Sequence, residues 1–331
     1  MLYITTRNQN DAYTAHKALT ENYATDGGRF VPFRLAAFSA EEMARLTELP
    51  FNGILAEVLN VFFSAKLQSI DVEFCIGKII AKLIPMNHKI VVAEVWHNLD
   101  RSFAYVEKRL YEKLTGTINE PTYWARIAIR TAVLFALYGD MLRTELIQPS
   151  ATFDVSVPDD YFLTAAAALY AQKMGLPIRT VVCTCQQNGT LWDFVHRGEV
   201  NTAAVAAGIV PELERLIQQT LGFDELKRFC EVCERGKSFI LDEENLQILN
   251  KGLFCSVVGA DRAKKTINSV YRSNAYILDC KTASCYSSLQ DYRSKTGESG
   301  LTLLLSETTP AASVKEISEA TGLSAEQLLR S

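Results

Sequence analysis

The chain has 331 residues, a net charge of −4 and 48% apolar residues, enough for one large hydrophobic core or two smaller ones. Charges of both signs are mixed along the sequence and form no basic stripe, which argues against nucleic acid as a partner. The apolar runs are too short or too interrupted to span a bilayer, and the first residues lack the features of a signal peptide, so we expect a cytoplasmic protein. In that compartment the eight cysteines need no disulfides.

The first part of the chain is predicted to be mostly helical. Ser39 and Glu42 form a capping box, in which each side chain bonds the other residue's backbone amide, and this pattern predicts the start of a helix. Apolar residues then recur at helical spacing, and a β-branched run after them predicts a buried strand. The predicted strands here span 2–5, 29–32 and 89–95, and the predicted helices run from Asn10 or Asp11 to Glu21, from 40 to 49, and over 51–63 and 71–83.

The stretch 152–198 organises the second half of the chain. It predicts a strand at 153–157, an alanine-rich helix at 161–174 and a strand at 178–183, which is the unit of a parallel sheet. A ligand of such a unit would lie at the carboxyl end of the first strand. Strands and helices alternate through most of the chain beyond residue 198, so we expect an α/β layer architecture. The other predictions are a helix ending near Leu114, helices at 121–146, 190–196, 211–220, 223–234, 260–271, 282–292, 313–321 and 324–330, a helix starting at Asp242, and strands at 253–257, 275–278 and 301–305.

Several segments of the chain are similar to one known family. The opening Tyr3-Ile-Thr-Thr-Arg7, the segment Thr-Asp-Gly-Gly-Arg-Phe-Val-Pro at 25–32, and the strand, helix and turn over 155–178 resemble those of threonine synthase. Threonine synthases are pyridoxal-phosphate enzymes of fold type II. The resemblance covers most of the chain and implies an α/β fold like that of tryptophan synthase β, with a parallel sheet flanked by helices and an α-rich N-terminal domain.

The residues that would hold the cofactor depart from the family pattern. The family's cofactor lysine lies in H-G-P-T-x-A-F-K-D, and the corresponding segment here begins at His97 and places Ala104 at the lysine position. An alanine methyl group cannot form a Schiff base. Lys108 and Lys113 lie further along the helix, and Lys108 is displaced by about 6 Å at the helical rise per residue, too far for a simple replacement.

The family's phosphate loop, S/T-G-N-F-G, is replaced by a run that contains Asp159, Asp160, Tyr161 and Phe162. Carboxylates there would repel a phosphate, and both glycines are replaced by residues with side chains. The resemblance further implies a ring-side remnant at Thr308, in the segment that replaces the family's T-A-H-P. It also implies that a small lid subdomain is missing, because only residues 115–120 separate two helices where the family inserts it.

Cysteine pairs raise the possibility of a metal site. Cys183 with Cys185 and Cys230 with Cys233 could supply four thiolates. The first pair lies at the end of a strand and the second inside a helix, whereas zinc sites place such pairs on tight turns. We therefore expect free thiols and no metal.

Other polar groups of the remnant cleft have two interpretations each. His97 with Asp100 could form an acid/base pair, or both could be inherited packing and hydrogen-bonding residues. Asp159 and Asp160 could bind a cation or an amine, or could be solvated charges at a helix N-terminus. The sequence leaves these alternatives open.

Taken together, the sequence predicts a threonine-synthase-like N-terminal domain at 1–88 and a reduced α/β domain at 89–331. We expect no bound cofactor and loss of pyridoxal-phosphate catalysis, with retention as a module that binds a small anionic or amino-acid-like ligand or a protein partner. A homodimer would cover the apolar surface that a missing subdomain exposes. The alternatives are an active lyase of the threonine synthase type in weak or split form, or new chemistry in the remnant cleft.

Overall fold

The computed structural model describes residues 1–77, 81–96, 103–158, 162–185, 189–201, 203 and 212–328. The strands are β1 (Leu2–Thr5), β2 (Tyr13–Thr14), β3 (Phe30–Pro32), β4 (Lys82–Asn87), β5 (Ile90–Glu94), β6 (Phe153–Val157), β7 (Ile178–Cys185), β8 (Glu199–Val200), β9 (Phe239–Ile240), β10 (Leu253–Val257) and β11 (Thr302–Ser306). The helices are α1 (Ala15–Thr20), α2 (Ala40–Glu48), α3 (Phe51–Phe63), α4 (Ser69–Ile76), α5 (Phe103–Thr115), α6 (Tyr123–Arg143), α7 (Leu163–Lys173), α8 (Thr190–Arg197), α9 (Leu213–Leu221), α10 (Phe223–Glu234), α11 (Glu243–Gly252), α12 (Ala260–Asn274), α13 (Cys280–Thr296), α14 (Val314–Thr321) and α15 (Ala325–Leu328), with a 3₁₀ turn at Pro310–Ser313.

A six-stranded sheet in the order β10-β7-β6-β11-β5-β4 forms the centre of the molecule. All its neighbouring strands pair in parallel except β4, which runs antiparallel to β5 at one edge. The residues of β5, β6 and β11 are buried throughout, as expected for parallel strands covered by helices on both faces. This confirms the predicted α/β fold, a mostly parallel sheet flanked by helices. A smaller antiparallel sheet, β2-β1-β3, belongs to the N-terminal part.

The helix α6 is the central packing element of one side. It lies against α3 and α7, and most of its residues from Trp124 to Met141 are buried around the whole circumference. Its neighbour α7 presents the predicted run of four alanines at 165–168, all buried, which lets the backbone of α7 lie close to its neighbours. In the described part of the chain, no helix has the length and apolar character needed to cross a bilayer.

The predicted helix at 71–83 is wrong in its second half. Helix α4 ends at Ile76 because Gly77, with φ +90°, leaves the helical conformation. Residues 82–87 form β4 instead, where Pro85 is tolerated because the strand lies at the edge of the sheet.

Two shorter predictions also need correction. The strand expected at 275–278 is absent among the described elements, because Ala275 ends α12 in the left-handed conformation with φ +52° and the chain then leads into α13. The first helix begins later than predicted: Thr14, rather than Asn10 or Asp11, caps it by accepting a hydrogen bond from the Lys17 amide.

The connection between α5 and α6 is short. Helix α5 ends at Thr115, Gly116 turns the chain with φ +70°, and α6 begins at Tyr123 with Thr122 as its cap. Residues 116–122 therefore leave no room for a subdomain at this point. That the lid subdomain is missing from the chain stays a prediction.

Candidate functional site: the remnant cleft at the strand ends

The carboxyl ends of β6 and β11 meet beside the first turn of α7, where a ligand of a parallel sheet is expected. The chain leaves β6 at Val157 and enters α7 at Leu163, while β11 ends at Ser306 and is followed by Glu307. Helices α5 and α6 close the other side. The predicted candidates His97, Asp100, Asp159, Asp160 and Tyr161 lie outside the described residues, so the described site is built from other side chains.

Arg130, in the middle of α6, is the centre of a buried polar cluster. Its Nε donates to Oε1 of Glu107 at 2.7 Å, and its Nη1 pairs with Oε1 of Glu307 at 2.5 Å. The Thr164 hydroxyl also contacts Arg130 and donates to Glu307 Oε1 at 2.9 Å. The ring of Phe103 packs under the guanidinium, with 5.0 Å from its centroid to Cζ. We call Glu107, Arg130, Thr164 and Glu307 the Arg130 cluster.

The Arg130 cluster is almost fully removed from water. The side chains of Arg130, Glu107 and Glu307 are 7%, 1% and 12% exposed. Glu107 Oε2 is buried with no hydrogen-bond partner in the described part of the chain. Burial raises the pKa of Glu107, although the charge of Arg130 opposes this rise. The cavity bounded by Arg130, Thr164, Glu307 and their apolar neighbours measures about 10 Å³, no more than one water molecule requires.

The first turn of α7 carries side chains where a phosphate cradle would need backbone amides. Phe162 precedes the helix with φ +70° and is 2% exposed, and Leu163 is 4% exposed. Phe162, at the cap position, makes no side-chain hydrogen bond to the helix. Thr164, in the same turn, bonds the Glu307 carboxylate, so a protein anion lies near the helix N-terminus.

The described residues do not fit pyridoxal phosphate. Ala104 is exposed in the first turn of α5 and offers no amine. Lys108 and Lys113, the nearest lysines further along this helix, are held by ion pairs with Glu120 at 2.9 Å and with Asp71 at 2.8 Å. The Arg130 guanidinium, which could otherwise attract a phosphate, already contacts two carboxylates.

The predicted ring-side remnant, Thr308, belongs to a second polar group beside the Arg130 cluster. Its side chain lies near the carboxylate of Asp279, the cap of α13, and acts to lower the pKa of that group. Ser306 links this carboxylate, at 3.3 Å, to Trp96, whose Nε1 donates to the serine hydroxyl at 3.1 Å. Burial raises the pKa of Asp279 despite its hydrogen bonds with Thr282. Thr308 thus supports a helix cap and does not join the Arg130 cluster.

The cysteines are packed thiols in the described structure. Cys183 and Cys185 are buried in β7, and Cys183 Sγ lies 3.5 Å from Cys255 Sγ on the neighbouring strand. Cys230 and Cys233 lie within α10, where burial raises their pKa to about 12 and about 11, so both are protonated thiols at neutral pH. Across the described residues, no group of three potential metal ligands comes together.

Sequence reasoning did not identify Arg130, Glu107 or Thr164 as site residues. One signal was available for Arg130: it is the single charge between Ile127 and Gly139, in an otherwise apolar helical run. Arginine is rarely buried without a partner, so its position within such a run indicates an internal carboxylate. Nothing in the local sequence marks Glu107 or Thr164, because their partner comes from a distant helix.

Known proteins similar to this chain are threonine synthases and their relatives. A family model described as the threonine synthase N terminus matches residues 2–79. Threonine synthase-like 1 of Pongo abelii is 26% identical over 172 residues, which are 48% of this chain and 23% of that protein, so the match spans under a quarter of the relative's length. Among solved structures, a threonine synthase from Brucella melitensis with bound pyridoxal phosphate superposes with a TM-score of 0.81 at 15% identity, covering 100% of this chain and 95% of that one. Yeast threonine synthase gives a TM-score of 0.79 at 17% identity, with 98% and 91% covered.

Proposed function

We propose that this chain is a member of the threonine synthase family that has lost pyridoxal-phosphate catalysis and is retained as a module that binds a small ligand or a protein partner. The observation that carries the proposal is the Arg130 cluster. A guanidinium held between two carboxylates, next to a cavity of about 10 Å³, stands beside the helix end that would face a cofactor phosphate.

Three further features support the loss of the cofactor. Ala104 stands at the position that resembles the Schiff-base lysine, Leu163 replaces a glycine of the phosphate loop, and a carboxylate, Glu307, opens the segment that resembles T-A-H-P. Each change alone would weaken binding of the coenzyme. Together they remove the lysine that would bind the coenzyme covalently, the loop that would bind its phosphate, and the uncharged group that would lie beside its ring.

A direct test is incubation of the purified protein with pyridoxal phosphate, followed by borohydride reduction and peptide mass spectrometry. We expect no absorbance band beyond the aromatic region and no single preferred lysine. Ala104→Lys restores the amine, yet we expect no preferred adduct there, because the Glu307 carboxylate and Leu163 are unchanged. Ala104→Arg is the matched control, since it adds a cation of similar length that forms no Schiff base.

A borohydride-stable adduct on one lysine of the unaltered chain would refute the proposal. That result would favour an active lyase in weak or split form, in which a partner chain could supply the missing lid. An adduct on residue 104 of Ala104→Lys would show that the cleft still accepts the coenzyme, which contradicts the role given to Glu307 and Leu163.

The proposal includes a homodimer that covers an apolar face near the short connection 116–122. The Lys113–Asp71 ion pair, at 2.8 Å, holds the end of α5 against α4. On this side Ile70 and Phe74 of α4 are 63% and 83% exposed, and Ile118 is 84% exposed. Large apolar side chains at such exposure favour association with a second copy.

We also propose a cytoplasmic location and a division into an N-terminal unit at 1–88 and an α/β unit at 89–331. The family-model match, which ends at residue 79, supports an N-terminal unit of about this extent. Limited proteolysis tests the division, because a boundary between units is where cleavage in a linker leaves two stable fragments.

A further inference from the structure

A pocket of about 280 Å³ lies at the C-terminal end of α7, away from the Arg130 cluster. Helix α7 starts at the cluster and ends at the pocket, and its length separates the two by about 16 Å at the helical rise per residue. The ends of α9 and α11 and the start of β7 form the other walls. Its volume is close to the lower limit for small-molecule sites, which suits a ligand of few atoms.

The charged side chains of the pocket are all cations. Lys173, Arg179 and Lys251 line it, and none of the described acidic residues does. Arg179 is already neutralised, because it holds Asp154 through two bonds at 2.6 and 2.9 Å and Glu298 at 2.6 Å. Lys173 and Lys251 have no carboxylate within ion-pair distance in the part of the chain that the structure describes. Two ammonium groups of this pocket are therefore without a counter-charge.

Lys173 has donors to spare. Its ammonium donates to the backbone carbonyl of Gln219 at the end of α9. The negative end of the α9 dipole favours a cation at this position. An ammonium carries three N–H donors, so this contact leaves two for another acceptor. Lys173 is an exposed residue, and partial desolvation of its ammonium beside the pocket wall lowers its pKa.

The rest of the pocket lining is mixed: Gln172, Gln219 and Thr220 supply uncharged polar groups, and three aliphatic side chains supply an apolar part. Leu169 and Leu249 are 5% and 1% exposed and form its floor, and Ile248, 40% exposed, stands at its rim. A ligand that satisfies both parts needs an anionic head and a short apolar body. A fully hydrated inorganic anion would leave the leucine floor without contacts.

We propose that this pocket binds a small carboxylate, with its anionic head on Lys173 and Lys251 and its apolar body on Leu169, Ile248 and Leu249. The site goes beyond the proposed function, because it uses none of the residues of the remnant cleft. Its success or failure therefore does not depend on whether the chain binds pyridoxal phosphate.

The test uses 3-methylbutanoate as the probe and 3-methylbutanamide, its neutral analogue of the same shape, as the comparison. Binding to the full chain is followed by ¹³C-methyl NMR of labelled isoleucines, with the Ile248 signal assigned through Ile248→Val. We expect 3-methylbutanoate to shift the Ile248 signal in a saturable manner and the amide to leave it unchanged. Added salt should weaken the effect.

Charge-removing variants locate the site. Lys173→Met and Lys251→Met should each raise the Kd of 3-methylbutanoate by about tenfold, as loss of a charge-assisted hydrogen bond predicts. Lys237→Met, which removes an exposed lysine outside the pocket, should leave the Kd unchanged. Absence of a saturable shift, equal binding of acid and amide, or unchanged affinity in both pocket variants would each overturn the proposal.

Discussion

Replacing Arg130 by methionine tests the Arg130 cluster most directly. The change removes the guanidinium and keeps an unbranched side chain, which leaves Glu107, 1% exposed, and Glu307, 12% exposed, as neighbouring carboxylates. Breaking a buried ion pair from one side costs about 3–5 kcal/mol, because the remaining charge stays desolvated. We expect a loss of this size in the free energy of unfolding, measured by urea denaturation.

The matched control lies one turn earlier on the same helix. Arg126 is 30% exposed and stands 4.0 Å from Glu120, which is 71% exposed, so Arg126→Met should change stability by no more than about 0.5 kcal/mol. A rescue variant carries Arg130→Met with Glu107→Leu and Glu307→Leu. It removes all three charges, and we expect it to regain most of the lost stability, since buried ion pairs are often replaceable by apolar groups.

The pH dependence of the Arg130→Met effect has a defined sign. Burial raises the pKa of Glu107 in the folded state above its value in the unfolded chain. The contribution of this group to stability is therefore complete below the unfolded-state pKa and is lost as pH rises through the folded-state pKa. Removing Arg130 takes away the charge that opposes this rise and moves the folded pKa further up. The loss of unfolding free energy caused by Arg130→Met should thus be larger at about pH 8 than at about pH 5. A deficit no larger than that of Arg126→Met, or one that grows on acidification, would refute the reasoning.

Three further outcomes are expected from the described geometry. Ser39→Ala should lower the unfolding free energy by about 1 kcal/mol in urea denaturation, because the capping box of α2 is lost; an unchanged value would contradict its role. Gly175→Ala should lower the free energy of unfolding more than Gly297→Ala does. At Gly297 the only cost is the strain of alanine in the left-handed conformation, about 1 kcal/mol. Gly175 has φ +111° and a new Cβ there would lie 3.0 Å from a backbone oxygen, whereas nothing lies within 4 Å at Gly297, so equal costs would be inconsistent with this packing. Phe74→Glu should shift sedimentation from dimer to monomer, while Phe33→Glu, at a residue that is 64% exposed on another surface, should not; a monomer before any change would exclude the proposed dimer.

Local signals explain which parts of the fold could be predicted. The capping box at Ser39, the helix cap at Asp242 and the strand-helix-strand unit at 153–183 depend on residues a few positions apart, and the structure confirms each of them. The predicted helix at 71–83 was wrong because Gly77 ends it and the edge of the sheet then pairs the chain as a strand. Hydrophobic periodicity does not distinguish such a strand from a continued helix.

The amino-acid sequence by itself determined the α/β class, the family resemblance, the absence of an amine at Ala104 and the absence of glycines at 159–163, the segment that resembles the family's phosphate loop. These are properties of residue type and order. The tertiary structure alone decided which charges meet: Arg130 contacts Glu107, Thr164 and Glu307, which lie 23, 34 and 177 positions away along the chain. Such contacts depend on how α5, α6, α7 and the end of β11 pack, and no spacing in the sequence records that packing.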